Sequence, residues 1–186
     1  MSIRKIAVIA GSLRREAYSK KTARALIALA PEGLELALID LGDLTLFNDD
    51  LDAEGQTPES WSAFRAVVKA ADGVIFVTPE YNRSITGVLK NAIDIGSRPN
   101  GQNAWSGKPA GVISTSPGRM AGVAAHLALR QTLVSVNMKT MGQPETYIGG
   151  VDKMFDESGA VIDESLTRNL TKFLTAFTAW LDQQAK

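Results

Sequence analysis

The chain has 186 residues and 45% apolar content, which suits one domain with a sizeable core and leaves little room for a second. Lys plus Arg equal Asp plus Glu at 20 each, so the chain as a whole carries no charge bias toward nucleic acid or a membrane surface. There is no cysteine, which excludes disulfides, thiolate metal sites, a Cys nucleophile and dithiol redox chemistry.

Residues 1–5 run directly into a strand-like segment and lack the apolar stretch of a signal peptide. No apolar run approaches the roughly 20 residues of a membrane helix, so a cytoplasmic protein is the expectation. From there strand and helix patterns alternate. Residues 6–10 form a short apolar run closed by Gly11, and 19–30 read as a helix in which Lys20 and Lys21 are solvated. Residues 34–41 are a second strand, and the polar, acidic stretch 48–57 reads as a surface loop. Trp61, Phe64, Val67, Val68 and Ala71 recur at helical spacing behind Pro58. Residues 73–77 are a strand ended by Thr78-Pro79, 87–95 a helix, 110–114 a strand and 121–136 a helix. A fifth strand falls within 140–148, with Pro144 blurring its limits, and 152–157 read as a surface turn. Leu166, Leu170, Phe173, Leu174, Phe177, Trp180 and Leu181 mark the clearest helix, with Trp61 and Trp180 as core residues. Continuous apolar runs fit strands buried on both faces. Their alternation with helices predicts βαβ units in a single three-layer, doubly wound α/β domain over residues 1–186. Ligands of such folds sit beyond the carboxyl ends of the strands.

The loops at those ends carry the chemistry. The first is Gly11-Ser12-Leu13-Arg14-Arg15-Glu16-Ala17-Tyr18-Ser19. It lacks the glycines of a dinucleotide fingerprint and the Gly-Lys-Ser/Thr of a P-loop. A tight turn, the Ser12 and Ser19 hydroxyls, the Arg14 guanidinium and a helix start suit one terminal phosphate. An ordinary βα turn with Ser19 as N-cap is the competing reading. After the third strand, Thr78-Pro79-Glu80-Tyr81-Asn82-Arg83-Ser84 suits the edge of a flat ring, on which Tyr81 can stack; simple packing is the alternative. Asn91 and Asp94 beyond it read equally as helix-surface groups. After the fourth strand, Thr115-Ser116-Pro117-Gly118-Arg119-Met120-Ala121-Gly122 has the small residues that let backbone N–H groups approach a ligand, or is a plain glycine-rich turn. Together the loops suggest a mononucleotide with an aromatic head.

Gly11-Ser12-Leu13-Arg14, Pro79-Glu80-Tyr81-Asn82 and Gly87-Val88-Leu89-Lys90-Asn91-Ala92-Ile93-Asp94 resemble the signature blocks of NAD(P)H-dependent FMN reductases, closest to the soluble bacterial quinone and chromate reductases. Trp105-Ser106-Gly107-Lys108-Pro109 and the Ser116-x-Gly118 loop match as well, in the same order along the chain. The resemblance implies a flavodoxin-like three-layer sandwich with a five-stranded parallel sheet in the order 2-1-3-4-5, and noncovalent FMN. It implies Ser12, Arg14 and Ser19 on the phosphate, Pro79, Glu80, Tyr81 and Asn82 along the flavin ring, and Ser116 and Gly118 at its pyrimidine end. It further implies a homodimer, often paired into a homotetramer, with residues 82–98 at the contact near the flavin. Three positions depart from the pattern. Ala17-Tyr18-Ser19 stands where relatives have Ser, an aromatic and Asn, so one amide donor is lost, and Thr86 stands where many have Pro.

The implied activity is a ping-pong cycle. NADH or NADPH delivers hydride to the flavin, and a quinone or an oxyanion such as chromate then takes the electrons. Flavin carries the difficult step, and no side chain is assigned as catalytic: there is no Ser-His-Asp set and no HExxH, and the lone His126 reads as a structural or surface residue. Arg83 and Arg119 either draw in the anionic substrates or are solvated loop residues. No acid that reads a ribose and no arginine that reads a 2′-phosphate is legible, so the choice between NADH and NADPH stays open. Competing functions are a reductase that hands reduced FMN to a separate monooxygenase, and a flavodoxin-type electron carrier, a class usually far more acidic than this neutral chain. A receiver-type module would need carboxylates where Gly11-Ser12-Leu13-Arg14 stands.

Overall fold

The computed structural model describes residues 3–52 and 56–185. Its elements alternate as the apolar pattern requires: β1 (Arg4–Ala10), α1 (Tyr18–Ala28), β2 (Leu34–Ile39), α2 (Glu59–Ala70), β3 (Gly73–Pro79), α3 (Gly87–Gly96), β4 (Pro109–Ser116), α4 (Val123–Ser135), β5 (Lys139–Thr140), β6 (Thr146–Gly149) and α5 (Glu164–Gln184). All strand pairings are parallel, and the order runs β2-β1-β3-β4-β5, with β6 also on β4. The single fifth strand expected from the sequence is thus two short strands along one edge of β4. β5 pairs with Pro109 and Ala110, and β6 with Ile113 to Ser116. Pro144 lies in the gap, where it has no N–H to give the ladder.

The strands alternate between two cores. Ile6, Val8, Ile75, Val77 and Ile113 face α1 and α5, packing on Leu26, Phe173 and Phe177. Ala7, Ile9, Val74, Phe76 and Val112 face the other way, onto Trp61, Phe64, Leu89, Trp105 and Leu129. The Trp105–Pro109 block is architectural. A Cβ on Gly96 would lie 2.5 Å from the Trp105 ring, so helix and indole meet only because position 96 has no side chain. Lys108 Nζ donates to the carbonyls of Lys69 and Ala71 and so closes the end of α2.

Several expectations need correction. β2 stops at Ile39, because Asp40 Oδ1 accepts the Gly42 N–H (3.1 Å) and turns the chain. Trp180 is half-buried and ties α5 to β5 through its Nε1 and the Lys139 carbonyl (3.0 Å). Within the expected surface turn 152–157, Phe155 is buried in the core. Of the acidic stretch 48–57, residues 53–55 lie outside the described residues. Its Asp49–Asp52 portion is a 3₁₀ turn, and Asp52 is clamped by Arg65 through two bonds of 2.7 and 2.6 Å.

Candidate cofactor site

β1 ends at Ala10 and Gly11 turns the chain. Gly11 N–H donates to the Val77 carbonyl (2.9 Å), and its own carbonyl accepts the Thr86 hydroxyl (2.7 Å). A Cβ on Gly11 would lie 3.0 Å from Pro79 Cδ and 3.2 Å from Leu89 Cδ2, so only glycine lets the loops after β1 and β3 close on each other here. Thr86 also caps α3 by accepting the Leu89 N–H (3.3 Å), work that the proline common at this position could not do. Between these loops, where connections leave β1 and β3 toward opposite faces, opens a cleft of about 260 Å³ lined by Ser12, Arg14, Tyr81, Thr86 and Gly87. This is the topological switch point.

The start of α1 faces this region without a cap. Its N-cap is Ala17, not Ser19, and no described side chain bonds to its first turn. Ser19 lies inside the helix, 1% exposed, and its Oγ finds no partner among the described residues; neither does that of Thr22. Ser12 is also buried; its Oγ accepts the Arg14 N–H at 3.3 Å and lies 3.5 Å from the Tyr81 hydroxyl. Arg14 and Arg15 are exposed at the rim. A buried hydroxyl left unpaired costs about 1–3 kcal/mol, and an open helix start attracts an anion.

The loop after β3 is a two-residue hairpin. Tyr81 and Ser84 exchange both backbone bonds at 3.1 Å, and Asn82 (φ 52°) and Arg83 (φ 66°) are left-handed, the pattern of a type I′ turn. Non-glycine residues there cost on the order of 1 kcal/mol each. Glu80 turns its side chain away from the cleft. Its Oε2 accepts the N–H groups of Ala124 (2.9 Å) and Ala125 (3.2 Å), while Arg83 reaches Oε1 at 3.4 Å. Glu80 therefore caps α4, whose own N-cap is Gly122. Any part it plays along a ring falls to its backbone.

The loop after β4 is held as firmly. Ser116 Oγ accepts the Gly118 N–H (3.1 Å), and Ser114 Oγ donates to the carbonyl of Ala121 (2.8 Å), itself left-handed at φ 51°. Gly118 is exposed, and Gly149 at the end of β6 packs against its carbonyl, where a Cβ would stand 3.2 Å away. Thr115 Oγ1, buried at the same strand end, finds no partner among the described residues.

The structure thus gathers these residues at one edge of the sheet: Pro79 and Ser116 end β3 and β4, Ser19 lies in the first turn of α1, and Ser12, Arg14, Tyr81, Asn82 and Gly118 stand on the loops, with Arg83 and Arg119 exposed on the same loops. Asn91 is not a surface group. It is 8% exposed, and its amide holds the chain after β2 by accepting the Phe47 N–H (2.8 Å) and donating to the Thr45 carbonyl (2.9 Å). Asp94 does lie at the surface, paired with Lys90 at 2.7 Å. His126 is fully buried in α4, its ring 4.5 Å from that of Tyr147. Burial, with help from Arg130, pushes its pKa down to about 4, so it is neutral at pH 7. No group of three acidic or imidazole side chains among the described residues could hold a metal, and no described helix is long and apolar enough to cross a membrane.

Residues 4–153 match the family described as NADPH-dependent FMN reductase. A quinone reductase of Pseudomonas putida is 51% identical over 176 residues, covering 95% of this chain and 94% of that protein. A 2-hydroxy-1,4-benzoquinone reductase of a Burkholderia species is 41% identical, covering 95% and 96%. Among solved structures, FerB of Paracoccus denitrificans, a flavoenzyme NAD(P)H:(acceptor) oxidoreductase, superposes with a TM-score of 0.90 at 40% identity, covering 98% of this chain and 99% of that one. An uncapped helix start at the switch point, two firmly held loops beside it and these likenesses along nearly the whole chain stand together: the chain belongs to the NADPH-dependent FMN reductase family, as an oxidoreductase that uses FMN.

Proposed function

We propose that the protein is an NAD(P)H-dependent FMN oxidoreductase that reduces quinones and similar small acceptors. The observation that carries this reading is the uncapped start of α1, with the buried Ser19 hydroxyl in its first turn left without a described partner. Ser12, Arg14 and Ser19 hold the phosphate of FMN. Pro79, Tyr81, Asn82 and the backbone of Glu80 line the ring, and Ser116 and Gly118 meet its pyrimidine end. When bound, FMN accepts hydride from a reduced nicotinamide and passes two electrons to the acceptor. The chain's own residues position it, and no side chain needs to transfer a proton. NADH or NADPH and the quinone use the same open ring face in turn, in a ping-pong cycle. The quinone names of similar proteins support the acceptor class. Arg83 and Arg119, exposed at the rim, favour anionic partners, an oxyanion such as chromate included. The protein associates into a homodimer, and further into a homotetramer, with residues 82–98 at the contact near the flavin, which light scattering tests. Reduced nicotinamide as the reductant supports a cytoplasmic location.

The test is spectroscopic. Purified protein should show the visible bands of oxidised flavin, lose them on anaerobic addition of NADH or NADPH, and regain them on addition of a quinone. A colourless protein that takes up no FMN on incubation refutes the proposal. Flavin that leaves the protein during gel filtration would favour a role in supplying reduced FMN to a partner enzyme.

A further inference from the structure

We propose that Thr115 belongs to the cofactor site and holds a hydroxyl of the FMN ribityl chain. Its Oγ1 is buried near the carboxyl end of β4, the residue is 2% exposed, and no described group bonds to it. The neighbouring hydroxyls at the ends of β3 and β4 all have partners. Thr78 donates to the Pro79 carbonyl (2.8 Å), Ser114 to that of Ala121 (2.8 Å) and Thr86 to that of Gly11 (2.7 Å), while Ser116 Oγ accepts the Gly118 N–H (3.1 Å). A buried hydroxyl is rarely left without a partner, so the exception at Thr115 calls for one from outside the chain.

Register and face decide which part of the ligand meets it. Thr115 pairs with Pro79 of β3 and directly precedes Ser116, and both of those residues are assigned to the flavin ring. Alternation along β4 puts Ile113 and Thr115 on one face of the sheet. Ile113 packs in the core beneath α1 and α5. Thr115 therefore lies on the α1 side, where Ser19 and the open helix start are proposed to take the phosphate. The ribityl chain joins ring to phosphate, so it crosses the strand ends on this side. None of the residues assigned to the phosphate or the ring is assigned to the hydroxyls of that chain. A threonine hydroxyl donates and accepts at once, which matches an alcohol, whereas a phosphate would use only its donor. The inference rests on the FMN reading of the cofactor site.

The experiment compares FMN with an analogue in which a pentyl chain bearing the same terminal phosphate replaces the ribityl phosphate. Ring and phosphate are kept, and only the chain hydroxyls are missing. Each flavin is titrated into FMN-free protein and followed by quenching of flavin fluorescence. Thr115→Val removes the hydroxyl and keeps nearly the same shape. It should weaken FMN about fivefold, the worth of one neutral hydrogen bond, and leave the affinity for the analogue unchanged. Thr115→Ser, which keeps a hydroxyl, should restore most of the FMN affinity. The urea midpoint of the FMN-free Thr115→Val protein should be unchanged or slightly raised, because the hydroxyl bonds to no described group. Thr140→Val is the control. Its Oγ1 is also without a described partner, but Thr140 pairs with Ala110 near the other end of β4, and its loss should leave both affinities unchanged. An equal loss for FMN and the analogue in Thr115→Val puts the effect on ring, phosphate or fold and overturns the proposal. So does an unchanged FMN affinity, which would leave an internal water as the partner of Thr115, and so does a lowered urea midpoint. Those results leave the FMN reading standing. A wild-type protein that binds neither flavin refutes that reading, and this inference falls with it.

Discussion

Helices α1 and α4 both begin at the carboxyl edge of the sheet, and both begin on a residue with no capping side chain, Ala17 in one case and Gly122 in the other. They solve the problem differently. The first turn of α4 receives the Glu80 carboxylate from the loop after β3, at 2.9 and 3.2 Å, and so needs nothing from outside. The first turn of α1 receives no described side chain, and Ser19 and Thr22 keep buried, unpaired hydroxyls beneath it. The same defect is repaired by the protein in one place and left open in the other. On the proposed function, the open donors and orphaned hydroxyls of α1 are where the FMN phosphate would bind, beside loops that the capped start of α4 helps to hold.

The largest effect expected on this comparison comes from acid, and it falls on α4. His126 is neutral and buried there, with Arg130, Glu145 and Tyr147 as its charged or titratable neighbours. Its pKa is lowered from 6.5 to about 4 in the folded state. The unfolded chain therefore takes up a proton first as the pH falls. Stability is full above about pH 6.5, declines below it, and levels off under about pH 4, a loss on the order of 3 kcal/mol. Urea midpoints measured across that window should show the slope, and His126→Leu should flatten it. An unchanged slope in the variant would remove His126 from the account. The hydrogen-bonded carboxylates of Asp156 and Asp163 titrate below 3.8 when folded, so their loss of stability falls at lower pH.

Next in size is the cap itself. Glu80→Ala should destabilise the FMN-free protein by about 2 kcal/mol, because two N–H groups lose their acceptor; Glu80→Gln, which keeps an oxygen, should lose less. Chemical denaturation reads both. If Glu80→Ala were neutral, the start of α4 would be no more closed than that of α1, and the contrast would say nothing about where a ligand binds.

Much of the fold was legible because continuous apolar runs such as those of β1, β3 and β4 occur where strands are covered on both faces. The loops at the strand ends, proposed to hold the cofactor, stand out in the sequence because local residue types mark them: a glycine turn, serines, an arginine, a helix start. What escaped depends on segments far apart in the chain. Glu80 meets its partners across 44 residues, and Asn91 grips a loop just as distant, so neither role has a local signal. Ser19 misled for a narrower reason. Serine is a good cap, but the helix starts two residues earlier, which turns a capping hydroxyl into a buried one.

That displacement supplies the smallest and sharpest test. In the FMN-free protein the Ser19 hydroxyl stabilises nothing, because it is buried and finds no partner among the described residues. Ser19→Ala should therefore leave the urea midpoint of that form unchanged or slightly raised, the reverse of what Glu80→Ala does. FMN affinity, followed by quenching of flavin fluorescence, should fall about tenfold, the worth of one hydrogen bond to a phosphate. The two substitutions thus exchange signatures: one costs stability without the ligand, the other costs only the ligand. A Ser19→Ala protein that lost stability while holding FMN as tightly as before would mean that the hydroxyl serves the fold, and the open start of α1 would have to be read as a defect rather than a binding site.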